Sequence, residues 1–171
     1  MTDLRDRACA PMALVLYTPP TLTPLTTPHR SFKLAHSGLV EISQSWGENG
    51  AKTGSAVWDA GVVLAHYLDA QHKRWQGLSS LELGAGLGLV SIVASRCGFT
   101  QVIATDGDAA VIPMAQRNAL AEEQLQERRR LTHPTDSTPL PPPVRVHVEH
   151  FTWNDTAALD ALLPAGSRTP D

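Results

Sequence analysis

The stretch "LSSLELGAGLGLVSIVASRCGFTQVIATDGD", Leu78 to Asp108, decides the fold. The short apolar run Ser79-Ser80-Leu81-Glu82-Leu83 reads as a buried strand and ends in a glycine-rich turn. Leu89, Ile92, Val93 and Arg96 then recur at helical spacing. A second apolar run, Gln101 to Thr105, ends in the acid Asp106. Strand, glycine turn, helix and strand in that order is the repeating unit of a parallel sheet.

The alternation continues on both sides. Downstream, a helix is expected over roughly Ala109 to Arg130. Pro113 falls in its first turn, where a missing N–H costs least. "VRVHVEHF", Val144 to Phe151, alternates valine with polar residues and reads as a third strand. Upstream, Val57, Ala60, Leu64 and Leu68 predict a helix over Ala56 to Asp69 with Ser55 as N-cap. "FKLAHSGLVEISQS", Phe32 to Ser45, holds two short strand-like pieces around a His-Ser-Gly turn, a hairpin. The fold class is therefore α/β. Its parallel sheet has about three core strands, right-handed crossovers and helices on both faces, with an N-terminal hairpin added.

Composition sets the outer limits. The chain has 171 residues, enough for one domain with a core. Hydrophobic content of 42% and charged content of 18% are ordinary for a globular protein. A net charge of −3 gives no electrostatic reason to expect nucleic acid or an anionic membrane as partner. The basic run "ERRR", Glu127 to Arg130, reads as a solvated helix end. "MALVLY", Met12 to Tyr17, is too short to span a membrane and poor as the core of a signal peptide. Cys9 and Cys97 stand alone, which suits reduced thiols in the cytoplasm, with the nucleus as the alternative. Residues 1–31, which include the Pro- and Thr-rich Thr18 to His29, are expected to be a flexible N-terminal segment. "THPTDSTPLPPP", 132–143, reads as a Pro-rich surface loop inserted into the domain over 32–171.

In open parallel sheets, ligands bind beyond the carboxyl ends of the strands. That places the site at Glu82 to Gly88. Glycine serves such a turn because a ligand can approach a main chain that carries no Cβ, and the helix that follows offers unpaired N–H groups. A dinucleotide fingerprint would read GxGxxG. From Gly84 the sixth position is Leu89, and from Gly86 it is Ser91. The pattern present is acid-x-Gly-x-Gly-x-Gly over Glu82, Gly84, Gly86 and Gly88, with Asp106 ending the next strand. A carboxylate there can accept hydrogen bonds from the two hydroxyls of a ribose.

Glu82-Leu83-Gly84-Ala85-Gly86-Leu87-Gly88 with Asp106 resembles the cofactor site of class I, seven-strand methyltransferases. It is more closely similar to the methyltransferase family 16 group of protein-lysine methyltransferases. "GSAVWDAGVVLAHYL", Gly54 to Leu68, Asn118 and "FTWND", Phe151 to Asp155, extend the likeness from about Leu34 to Leu163. The resemblance implies a Rossmann-like sheet and S-adenosyl-L-methionine as cofactor. It implies that Trp58 lines the cofactor pocket and that Gly84, Ala85 and Gly86 lie against the cofactor. Glu82 would hold its methionine end, Asp106 its ribose, and Trp153 would pack by the adenine. Plain core packing is the alternative for either tryptophan, and Asn154 after Trp153 departs from the family's usual glycine. Trp46 and Trp75 are read as structural or surface residues.

The implied reaction is methyl transfer to a lysine of a protein substrate, a chaperone or an ATPase among the candidates, by a monomer. The family's acid-x-x-aromatic acceptor motif follows its fourth strand. No such motif occurs between Trp153 and Asp171, so the catalytic residue is unknown and the chain is expected to hold the cofactor-binding half and to be inactive alone. A dinucleotide-binding oxidoreductase fragment and a non-enzymatic truncated variant are the competing readings. No metal site is expected: His147 and His150, three apart on a strand, face opposite ways, and His36, His66 and His72 lack partners at ligand spacing.

Overall fold

The computed structural model describes residues 23–46, 53–132 and 143–162. "MALVLY", Cys9, most of the Pro-rich loop at 132–143 and the chain after Leu162 lie outside these residues. After a single helical turn, α1 (Thr23–Thr26), the chain forms an antiparallel hairpin of β1 (His29–Leu34) and β2 (Gly38–Ser43). The hairpin starts at His29 rather than Phe32, and α1 and β1 give order to part of the segment expected to be flexible. Leu34 pairs with Gly38 across a tight turn. Alternation puts Phe32, Leu34, Val40 and Ile42 on one buried face.

Next comes α2 (Asp59–Ala70), three residues later than its expected start, with Trp58 rather than Ser55 at the N-cap. Its inward face is also rotated from the predicted stripe. Ala65 and Asp69 are buried, whereas Ala60 and Leu64 are exposed. One cause is Asp69, whose carboxylate accepts the main-chain N–H groups of His36 (2.9 Å) and Ser37 (2.7 Å) in the hairpin turn. Burial pushes the Asp69 carboxyl up, but these hydrogen bonds outweigh it and hold the group below its ordinary value. This polar contact acts together with the packing of Val62, Ala65 and Leu68 on the core in setting how α2 is turned.

The remaining elements are β3 (Ser79–Leu83), α3 (Leu89–Arg96), β4 (Gln101–Asp106), α4 (Ile112–Thr132), β5 (Val146–His150) and α5 (Thr156–Leu162). The three strands form a parallel sheet in the order β3-β4-β5. Both crossovers step the same way, so the right-handed rule sets α3 and α4 on one face. On that face Val102, Ala104, Val146 and Val148 share a core with Ile92, Val93 and Ala115, and the hairpin's Val40 and Ile42 close it. Each valine or isoleucine buried here is worth about 1.5–3 kcal/mol. The architecture is the Rossmann-like half that runs from the first strand to the third. β3 is an edge strand among the described elements. It is not fully buried as expected: Leu83 is half-exposed. Pro113 is the second residue of α4, in its first turn.

The inward face of α4 mixes Ile112, Met114, Ala115 and Ala119 with two buried polar residues, Asn118 and Glu122. Glu122 receives a two-pronged ion pair from Arg96 of α3, whose other nitrogen donates to the carbonyls of Ser37 and Leu39 in the hairpin. One buried guanidinium thus joins α3, α4 and the hairpin, a geometry suited to its fork of donors. Trp75 is structural as expected. It stacks on Phe99 and its indole N–H donates to the carbonyl of Leu68 at 2.9 Å.

Candidate functional site

The carboxyl ends of β3 and β4 open into a cleft of about 530 Å³, within the usual range of small-ligand sites. One wall is the turn after β3, with Glu82, Gly84, Ala85, Gly86 and Leu87. Leu89 and Val90 at the start of α3 continue it, and Asp106 and Asp108 lie across the end of β4. The opposite wall is the segment from Thr53 to Gly61 that leads into α2.

Backbone chemistry holds the glycine turn. The N–H of Ala85 donates to the carbonyl of Thr105 (2.8 Å), and that of Gly88 to the carbonyl of Ala85 (2.9 Å). Gly86 adopts φ +54°, a left-handed conformation open to glycine. A Cβ on it would also stand 3.1 Å from the carbonyl oxygen of Gly54 in the opposite wall. Gly54 is confined in turn, because a Cβ there would meet a methyl of Val111 at 2.9 Å. The two walls close on each other through paired glycines.

The hairpin positions the far wall. Arg30 on β1 donates to the carbonyl of Val57 (2.6 Å), and Gln44, just past β2, accepts the N–H of Val57 (3.2 Å). The N–H of Ser45 donates to the carbonyl of Ser55 (3.1 Å). Trp58 follows directly. Its indole N–H donates to the carbonyl of Thr53 (2.7 Å), and Trp46 packs edge-on against it with ring centroids 6.0 Å apart. On the near side, Asn118 of α4 accepts the N–H of Ser43 (3.0 Å) and donates to the carbonyls of Ser43 and Leu87 (both 3.1 Å). It ties β2 to the glycine turn.

Three acids line the cleft, Glu82, Asp106 and Asp108. Asp106 accepts the N–H of Gly86 at Oδ2 and that of Asp108 at Oδ1, each at 2.9 Å. Each oxygen keeps a further lone pair. Glu82 receives the hydroxyl of Ser91 at Oε2. Burial pushes its carboxyl up to about 7. Hydrogen bonding from Ser91 pulls it down, and the negative charge of Asp106 adds to the rise.

Six of the residues expected at the site are brought together here: Trp58, Glu82, Gly84, Ala85, Gly86 and Asp106. Trp153 is not among them. It sits in the turn closed by the Asp155 N–H on the Thr152 carbonyl, beyond the end of β5, and is 71% exposed. Sequence reading missed Thr53, Gly54 and Asp108 as lining residues. Gly54 carried a signal, a glycine just ahead of the Val57-Trp58 pair, but its close neighbour Val111 is remote in sequence. His36 and His72 stack with centroids 3.7 Å apart, a partnership their spacing did not suggest. Among the described residues, no group of three or more His, Cys, Asp or Glu side chains is placed to hold a metal ion. No described helix is long and apolar enough to cross a membrane.

These features define a Rossmann-like ligand-binding domain with two acids set around a glycine turn. A family model described as lysine methyltransferase matches residues 36–134, more than half of the chain, and the chain belongs to that family. Protein N-lysine methyltransferase METTL21A of Xenopus tropicalis is 43% identical over 103 residues, 58% of this chain and 46% of that protein. Methyltransferase-like protein 22 of Mus musculus is 34% identical over 98 residues, 57% of this chain and 23% of that protein. Protein N-terminal and lysine N-methyltransferase efm7 of Emericella nidulans is 30% identical over 118 residues, 67% of this chain and 41% of that protein. The matched stretch spans less than half the length of each relative.

Proposed function

We propose that the protein is an S-adenosylmethionine-dependent protein-lysine N-methyltransferase and that this chain carries its cofactor site. The observation that carries the reading is the arrangement of Glu82 and Asp106 on either side of a glycine turn, within one ligand-sized cleft. The cleft fits the cofactor's chemistry. Asp106 retains lone pairs for a ribose diol, and Glu82 offers a carboxylate to an amino-acid ammonium group. Val57, Trp58, Leu87 and Val90 supply apolar wall. Bound there, the cofactor would supply a methyl group on a sulfonium, a good leaving group. The chain's own residues bind, orient and desolvate, which are the main protein contributions to an in-line displacement.

The acceptor is a lysine on a protein, since the family is described as lysine methyltransferase and two of the relatives, METTL21A and efm7, carry lysine methylation in their names. A reducing compartment, cytoplasm or nucleus, suits Cys97, a buried free thiol. Calorimetric titration of the chain with S-adenosylhomocysteine beside NAD tests the cofactor. Binding of NAD alone would overturn the reading in favour of an oxidoreductase. Labelled S-adenosylmethionine, incubated with the protein and a cell lysate, should mark protein bands. Label found only in RNA or small molecules would overturn the acceptor.

A further inference from the structure

Ser91 is 2% exposed, lies in the first turn of α3 and does not line the cleft. Its hydroxyl nevertheless reaches across to the carboxylate of Glu82, which does. Ser95, one turn on and also buried, behaves differently. Its hydroxyl donates to the carbonyl of Ile92 at 2.7 Å within its own helix, the usual resort of a helical serine. Ser91, near the start of the same helix, bonds Glu82 instead. The main chain of Glu82 is also held, because its carbonyl accepts the hydroxyl of Thr105 at 2.8 Å. The carboxylate is thus fixed from behind while its front faces the cleft.

We propose that Ser91 is a positioning residue: its buried hydroxyl holds the Glu82 carboxylate turned to the cleft, where it receives the primary ammonium group of the cofactor's amino-acid end. This rests on the methyltransferase reading above. The charged groups around Glu82 make the hydroxyl matter. Asp106 on β4 and Asp108 after it are the other ionisable residues of the cleft, and both are acids. The lining residues of α2, of α3 and of the Thr53–Trp58 segment are all uncharged. Among the described lining residues none is cationic, and the Ser91 hydroxyl opposes the burial that raises Glu82.

The test is a ¹³C NMR titration of the Glu82 carboxyl, with S-adenosylhomocysteine calorimetry between pH 6 and 8, on the wild type, Ser91→Ala, Ser95→Ala and Glu82→Gln. Alanine keeps the helix, and a matched melting curve checks the fold. In the wild type, Glu82 should titrate near 7. In Ser91→Ala its midpoint should rise by about one pH unit, the scale of a hydrogen bond to a charged group. Affinity at pH 7 should fall about three- to tenfold and recover toward pH 8. Ser95→Ala should move neither readout, and Glu82→Gln should bind weakly with no pH dependence over this window. An unmoved Glu82 midpoint in Ser91→Ala, with the wild type still binding, overturns the Ser91 role alone. A shifted midpoint in a wild-type protein that binds no S-adenosylhomocysteine overturns the ammonium role together with the methyltransferase reading.

Discussion

The N–H of Gly86 donates to Oδ2 of Asp106 across 2.9 Å, so the acid that ends β4 also holds the glycine turn that follows β3. One side chain couples the shape of the turn to the group proposed to bind the ribose. Asp106→Ala should weaken S-adenosylhomocysteine binding by about 1.5–3 kcal/mol, the scale of hydrogen bonds to a charged group. Asp106→Asn should cost less, because an amide oxygen still accepts from Gly86. Calorimetry on both variants checks the order, and equal losses would show that the turn bond carries no weight.

Gly86→Val should abolish binding and destabilise the fold. A β-branched residue at φ +54° is strained by about 1–2 kcal/mol or more, and its Cβ would press on the Gly54 carbonyl. Gly84→Ala, at φ +71° but with nothing within 4 Å of the added carbon, should cost less stability. Urea unfolding of the two variants compares them directly.

Glu82 should make the protein less stable as pH rises. Its carboxyl is raised from 4.5 to about 7, so the native state holds a proton that the unfolded state has released. The stability it contributes is therefore full below about 4.5 and is lost as pH rises through about 7. Glu82→Gln cannot titrate. It should be more stable than the wild type by about 1–3 kcal/mol at pH 8 and about equal to it near pH 4.5, while binding the cofactor poorly. Melting curves at the two pH values give the difference.

Asn118→Ala should destabilise by about 1–3 kcal/mol, because it strands the buried carbonyl of Leu87 and removes the two bonds to the main chain of Ser43. Asn118→Asp keeps the acceptor for Ser43 but not the donor for Leu87. It should therefore lose ligand affinity out of proportion to its loss of stability. Paired denaturation and calorimetry separate the two effects.

The central unit was plain in the sequence because its signals are local. β3, the glycine turn, α3, β4 and Asp106 all fall where the apolar runs, glycines and acid put them. The misread face of α2 comes from a partner distant along the chain. The stripe Ala60-Leu64-Leu68 suggested the inward face of α2, but Asp69 reaches the hairpin turn and rotates the helix. The buried Asn118 and Glu122 make α4 look like a surface helix by composition. Trp153 was placed by resemblance, and no local pattern fixes where a turn residue points. α5 was overlooked although Asp155 caps it, accepting the N–H of Ala158 at 2.9 Å.

Every residue lining the cleft lies between Thr53 and Asp108. A ribosome makes the chain from its amino end, and domains generally fold as units in that order. The β1–β2 hairpin that holds Val57 precedes this stretch, and Asn118, which secures Leu87, follows ten residues after Asp108. Short loops cost little entropy to close and local contacts form fast. The pieces that line and brace the pocket are therefore all made before β5, but the core behind them closes only when Val146 and Val148 join it. A ligand that binds only the folded form stabilises that form as its concentration rises above its dissociation constant. A cofactor held in this cleft would thus act on the completed fold, pulling the newly finished chain toward it.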